Sequence, residues 1–170
     1  VWLYNEAGLT CLVQGNLTDA VALLRQAIEF NRGIEGQEDV GRQHNRISLN
    51  LAIVQIERGR LSAARSRLRR IRDDEKIRGD RVYKLAVGYL GLIDHLMGNI
   101  DKAERQYKKA IDWSRRDDDV RAAAVFLNHR ARLEAAKDPE KALLLLREAR
   151  QFADTGGHED VRRHIVLSEI

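Results

Sequence analysis

One structural unit recurs four times in this chain: an apolar helical stretch, a tight turn, then a second stretch with an alanine five residues beyond the start of the turn. The turns are Gly15-Asn16-Leu17, Gly59-Arg60-Leu61, Gly98-Asn99-Ile100 and Lys137-Asp138-Pro139. The alanines are Ala20, Ala64, Ala103 and Ala142, separated by 44, 39 and 39 residues. A unit of that length has too little surface to bury an apolar face by itself, so successive copies must stack. Aromatic residues make up only 5% of the chain, which suits a row of small Leu/Ala interfaces better than one central core.

The residues around each turn define the pairing. Tyr4, Ala7, Gly8 and Cys11 precede Gly15 by eleven, eight, seven and four residues. The same offsets give Ser48, Leu51, Ala52 and Gln55, then Val87, Leu90, Gly91 and Asp94, then Phe126, His129, Arg130 and Leu133. Steps of three, one and three place each set on one helical face. After the turns, Ala20, Leu24 and Ala27 recur as Ala64, Leu68 and Ile71, as Ala103, Tyr107 and Ala110, and as Ala142, Leu146 and Ala149. Two striped helices joined by two or three residues pack antiparallel. Glycine suits the left-handed residue that ends the first helix, Asn16, Asn99 or Asp138 can cap the second, and Pro139 fits a first helical turn.

The order aromatic, small pair, turn glycine, Ala, large apolar, Ala, as in Tyr4-Ala7-Gly8-Gly15-Ala20-Leu24-Ala27, resembles the tetratricopeptide repeat (TPR) family. The resemblance runs from residue 1 to about 154 and is strongest in the first unit and weakest in the fourth, where Arg130 replaces the small residue. It implies an all-α fold, a right-handed superhelical solenoid of antiparallel helix pairs. The units are 1–37, 38–79, 80–117 and 118–157, with 158–170 as the first helix of a fifth. The period exceeds the family's usual ~34 residues, which implies longer helices. Helices are expected over 1–14, 17–33, 38–58, 61–76, 80–97, 100–116, 119–136, 139–154 and 158–170, with the longest break at Gly33-Ile34-Glu35-Gly36 and no domain boundary. The chain opens on Val1 inside a helical pattern and closes in another, so a fragment of a longer protein is expected.

In such a stack the first helix of each pair lines the concave side. That face carries Asn5, Leu9, Arg46, Leu49, Asn50, Ile53, Tyr89, Leu92, His95 and Asn128 among others. Its mostly apolar character fits an amphipathic helix or extended segment of a partner protein, or else internal packing of one repeat on the next. Asn50 and Asn128 stand nine residues before their turns. The resemblance implies that an asparagine there holds a peptide backbone through its paired donor and acceptor. Glu6 and Tyr89 fill the same place in the other units, which interrupts an asparagine ladder.

Charge marks a second surface. Residues 58–84 hold eleven Lys or Arg against four acids, a local net charge of +7, leaving 19 basic and 22 acidic residues elsewhere. The patch Arg65, Arg67, Arg69, Arg70 and Arg72 could seat an acidic partner or nucleic-acid phosphates, with Arg65, Arg69 and Arg72 on one side of the helix and Arg67 and Arg70 on another. A solvated, salt-laced helix is the commoner outcome, and no aromatic residues interleave for base stacking. Nucleic acid is therefore the less favoured partner.

Chemistry has little to stand on. The five histidines form no i, i+4 pair, Cys11 falls on a packing stripe, Asp117-Asp118-Asp119 precedes a helix as caps do, and no glycine-rich phosphate loop is present. No catalytic residue, cofactor or metal ligand is expected. A single cysteine excludes an intrachain disulfide and, with no targeting or membrane-spanning segment, points to a cytoplasmic protein. The expected function is a non-enzymatic scaffold for protein–protein interaction. The alternative is a regulatory or sensor segment of a larger multidomain protein, such as a transcription regulator. The sequence carries no signal for oligomeric state.

Overall fold

A computed structural model describes residues 1–33 and 40–166. Among them the regular elements are all helical: α1 (Trp2–Val13), α2 (Leu17–Arg32), α3 (Val40–Glu57), α4 (Leu61–Arg72), α5 (Arg81–Leu96), α6 (Ile100–Arg116), α7 (Val120–Glu134), α8 (Pro139–Thr155) and α9 (Glu159–Val166). A single 3-10 turn, Glu75–Ile77, follows α4. The chain divides into two compact units, Val1–Ala86 and Val87–Ile170, and the division falls within α5. Most of the expected break after Gly33, and the final four residues of the expected last helix, lie outside the described residues.

In the first unit α1 packs on α2, α2 on α3 and α3 on α4, and α1 also meets α3 directly. In the second, α6 packs on α7, α7 on α8, and α9 on both α7 and α8. The stripes set by the turns are the surfaces that close. All twelve residues of the post-turn stripes, from Ala20, Leu24 and Ala27 to Ala142, Leu146 and Ala149, are buried. Small residues on the pre-turn helices let the partners approach: a methyl group on Gly8 would stand 2.8 Å from Leu24 Cγ, and one on Gly91 would stand 3.1 Å from Gln106 Cβ. A further close approach had no counterpart in the repeat pattern, at Gly88 of α5, which lies against the ring of Phe126 in α7.

The glycine turns follow one hydrogen-bonding scheme. At the end of α1 the Asn16 N–H donates to the Cys11 carbonyl at 2.8 Å and the Gly15 N–H to Leu12 at 3.0 Å, with Gly15 at φ 77°. Gly59 and Gly98 repeat this with the Arg60 N–H on Gln55 and the Asn99 N–H on Asp94. These six-to-one and five-to-two bonds satisfy the last free carbonyls of the helix, and the left-handed residue they require is most easily glycine. At the end of α6 the six-to-one bond recurs from the Asp119 N–H to Ser114 at 2.9 Å, with Asp118 in the left-handed position at φ 54°.

Two expectations need correction. The helix expected over 61–76 ends at Arg72, because Asp73 and Asp74 oppose the negative end of the helix dipole. Asp73 pairs with Arg72 at 2.8 Å, Asp74 accepts from the Lys76 N–H at 3.1 Å, and buried Ile77 anchors the 3-10 turn that results. Asn16 and Asp138 cap α2 and α8 as expected, accepting from Asp19 and Lys141 N–H groups. Asn99 does not cap α6; its amide turns back to donate to Asp94 at 3.2 Å. A buried carboxylate has a stronger claim on a donor than a solvated helix end, and Lys102, 3.6 Å away, also serves Asp94.

Candidate functional site

The antiparallel pairing brings α1 and α3 side by side in the first unit, and a polar chain joins them. Asn50 Nδ2 on α3 donates to Asn5 Oδ1 on α1 at 2.9 Å, Asn5 Nδ2 donates to Glu6 Oε1 at 3.0 Å, and Glu6 lies 3.6 Å from Arg46 Nη2 of α3. Leu9 stands one turn beyond Asn5, and Ile53 lies one turn from Asn50 and Leu49. Leu9, Asn50 and Ile53 are half-buried and Arg46 is exposed, so an apolar and polar floor remains open here.

The structure does not open every residue assigned to the concave face. Asn5, Leu49, Leu92 and Asn128 are buried by the chain's own helices. Asn128 in particular has its Oδ1 enclosed without a hydrogen-bond partner. Asn50 already gives a donor to Asn5, which leaves less of its amide for a peptide than its position in the repeat implied. In the second unit Tyr89 is half-buried and edge-on to Phe126, with centroids 5.5 Å apart. His95, also half-buried, meets the Tyr107 hydroxyl at 3.3 Å. Around it Leu92, His95, Leu96, His129 and Arg132 line a cavity of about 130 Å³. That is small beside the ~300–1,000 Å³ of sites that enclose a small-molecule ligand.

Burial sets the electrostatics of this histidine cluster. His129 stacks on Tyr107 with its Nδ1 enclosed and unpartnered, and loss of solvent pushes its pKa down to about 3, with Arg132 adding to the effect. His95 is lowered by the same two causes, while burial pushes the Tyr107 hydroxyl upward. An imidazole so depressed is neutral at physiological pH and behaves as a packing group.

The basic patch divides by helical face, as its spacing requires. Arg72 is paired with Asp73, Arg65 is half-buried and engaged, and Arg69 is exposed. Arg67 instead lies within electrostatic reach of Arg25 and Arg32 on α2, and both Arg67 and Arg70 within reach of His44 on α3. Burial, followed by these like charges, holds the Arg67 guanidinium and the His44 imidazole below their ordinary values. The sequence reading missed Arg25, Arg32 and His44 because it considered α4 alone. The signal was in the topology, since antiparallel helices bring the ends of α2 and α4 to the start of α3.

Among the described residues no three His, Cys, Asp or Glu side chains converge to hold a metal ion, and no helix is long and apolar enough to cross a membrane. No protein-family model matches the sequence, and no curated protein does. Solved structures do. The crystal structure of BtubC (BKLC) from P. vanneervenii aligns with a TM-score of 0.65 at 18% identity, over 87% of this chain and 60% of that one. This chain thus spans less than two thirds of BtubC. The crystal structure of a Podosopora anserina chain assigned as a kinesin light chain, with nearly identical TPR-like repeats, aligns with a TM-score of 0.56 at 12% identity, over 98% of this chain and 91% of that one. Identities this low speak to architecture alone, and the architecture they establish is that of an all-helical protein with TPR-like repeats.

Proposed function

We propose that this chain is a non-enzymatic interaction module that holds a peptide or amphipathic helix of a partner protein against the α1/α3 face of its first unit. The observation that carries this reading is the Asn50–Asn5 hydrogen bond. It locks the two helices side by side, with half-buried Leu9 and Ile53 and exposed Arg46 arrayed around it. Apolar side chains of a ligand helix would cover Leu9 and Ile53, and Arg46, already close to Glu6, would meet an acidic group at the rim. The TPR-like repeats support the reading, since stacked repeats commonly present extended binding surfaces.

The test is selection of peptides from a displayed random library on the immobilised chain, followed by titration against Leu9→Glu, Ile53→Glu and Arg46→Ala. Each glutamate should weaken binding about tenfold or more, and Arg46→Ala by a few-fold, with far-UV circular dichroism unchanged. Peptides that bind all three variants as well as the parent chain sit elsewhere, and the assignment to this face fails.

A further inference from the structure

Along the second halves of α2 and α4, beside the start of α3, the first unit gathers four arginines and a histidine. α3 runs antiparallel to both neighbours, so its first turns lie beside their last ones. Two hydrogen bonds fix the arrangement: Asn31 Nδ2 donates to the Val40 carbonyl at 3.0 Å, and Asn45 Nδ2 to Asp74 Oδ2 at 2.8 Å. Arg25 and Arg32, seven apart, share a face of α2; Arg67 and Arg70, three apart, share a face of α4; His44 precedes Asn45 on α3.

Among the described residues, the carboxylates at this end are already committed. Glu29 pairs with Arg32 at 2.9 Å, Asp73 with Arg72, Asp80 with Arg42 at 3.6 Å, and Asp74 accepts from Asn45 and the Lys76 N–H. Arg25, Arg67 and Arg70 have no carboxylate partner among the described residues. Cations at helix C-termini are favoured by the helix dipole, and solvent screens the exposed ones, so Arg69 and Arg70 alone would carry no inference. Arg67 differs, because its Nε is enclosed without any hydrogen-bond acceptor. With that nitrogen shut off from solvent, an anion would reach Arg67 through its terminal Nη groups, and the like charges around the guanidinium are what such an anion would offset.

We propose that Arg25, Arg32, Arg67, Arg70 and His44 form a binding site for a phosphate dianion, either a monoester carried on a phosphorylated side chain of a partner or inorganic phosphate free in solution. Such a group brings nearly two negative charges and three acceptor oxygens, which matches several converging guanidinium forks better than the single charge and two oxygens of one carboxylate. A nucleic-acid backbone spreads single charges along its length and is met by a stripe of cations; here Arg25, Arg32 and Arg70 are instead grouped around Arg67, and Arg32, Arg67 and Arg70 around His44. The depressed His44 agrees with the assignment: burial first and its basic neighbours second oppose its protonation, and a bound dianion would offset the second cause.

The experiment is an NMR titration of the intact chain with inorganic phosphate and with phenyl phosphate, at neutral pH and constant ionic strength. The expected result is saturable shifts at the Arg67 Nε–H and the His44 ring, with the His44 pKa rising on binding. Arg70→Gln should weaken binding about fivefold and Arg67→Gln about tenfold, while Arg69→Gln on the other side of α4 changes it less than about twofold. Because Arg70 is exposed, its variant reports on the site even if Arg67→Gln perturbs folding. Tighter binding of phenyl phosphate assigns the carried group, and equal binding assigns the free ion. Shifts that do not saturate, or an equal loss for Arg69→Gln, would overturn the site. So would a short duplex that displaces phosphate with a steep salt dependence, which points to phosphodiesters. Glu35, Glu38 and Asp39 lie in the sequence between Arg32 and Val40. Binding by the E35Q/E38Q/D39N variant but not by the parent chain would overturn the site by showing that these carboxylates already fill it.

Discussion

Replacing Gly88 by alanine sets two effects of opposite sign against each other. A glycine inside a helix is worth about 1 kcal/mol less than alanine, so at an open helical position the change stabilises. At Gly88 the new methyl group meets the ring of Phe126, with Cε2 2.7 Å away and Cζ and Cε1 nearer still. Carbon atoms in contact stand about 3.5–4.0 Å apart, so ring or helix must move by roughly 1 Å or more. Phe126 is fully buried and rigid beyond its two torsions, and has little room to withdraw. Overpacking of this kind costs about 1–3 kcal/mol and more where nothing yields. Contacts this short with a fully buried ring belong at the upper end of that range, so with the gain in helix propensity subtracted Gly88→Ala should destabilise by about 2 kcal/mol. Gly41, also helical, has nothing within 4 Å of a built methyl group, and the same substitution there should stabilise by several tenths to about 1 kcal/mol.

Urea unfolding separates the two outcomes, and the two tryptophans report on different parts of the chain: Trp2 in the first unit and Trp113 in the second. The Gly88→Ala transition should move to lower urea when followed by Trp113 fluorescence. The double variant G88A/F126L should recover part of the loss, because the smaller side chain vacates the space the methyl group needs. A Gly88→Ala chain as stable as its parent would refute the close packing of α5 on α7.

Other consequences are as specific. His129 is held at about 3, well below its ordinary value of 6.5. The unfolded chain therefore binds one more proton than the folded one between those values, and stability falls with acidification by about 1.4 kcal/mol per pH unit once below pH 6.5. His129→Phe should flatten that slope in melting curves taken across the same window; a slope left unchanged would place the acid sensitivity elsewhere. Asp118, in the left-handed region at φ 54°, should be improved by Asp118→Gly, raising stability by about 0.5–1 kcal/mol in the same urea assay, and a loss would mean its side chain does more for the turn than its backbone strain removes. Asn50→Ala removes the donor from buried Asn5 Oδ1 and should lower stability by about 1–2 kcal/mol, so a variant that melts like the parent would show that water takes over the bond.

The pairing of helices was legible in the sequence because it rests on short-range geometry. A turn glycine fixes where one helix stops, and steps of three and four residues then fix which side chains face inward, with no knowledge of what lies across the interface. Contacts between successive pairs lacked such a landmark. Gly91 sits at the offset that marks packing within its own pair, against Gln106 and Tyr107, whereas Gly88, one turn earlier, serves the approach to Phe126 in the next pair. The two glycines look alike in sequence and differ in the direction they face. The early end of α4 has a similar origin: Asp73 and Asp74 continue a helical pattern on paper, and what stops the helix is the competition of their carboxylates for Arg72 and the Lys76 N–H.

The candidate surface was harder to read, because position on a face does not settle exposure. Leu49 and Ile53 lie one turn apart on α3, yet Leu49 is buried and Ile53 half-open, a difference made by the neighbouring helix rather than by either residue. The same cause gives the two surfaces of the first unit opposite physical characters. On the α1/α3 face Asn50, Asn5 and Glu6 are spent on one another and Arg46 alone is open at the rim, so affinity there would come chiefly from covering Leu9 and Ile53 and would respond only modestly to salt. Along the second halves of α2 and α4, Arg25, Arg67 and Arg70 have no carboxylate partner among the described residues, so affinity there would rest on charge and weaken as salt rises. A partner engaging both would be held by an apolar segment on one side and an anionic group on the other, and the salt dependence of its binding would divide accordingly between Ile53→Glu and Arg70→Gln.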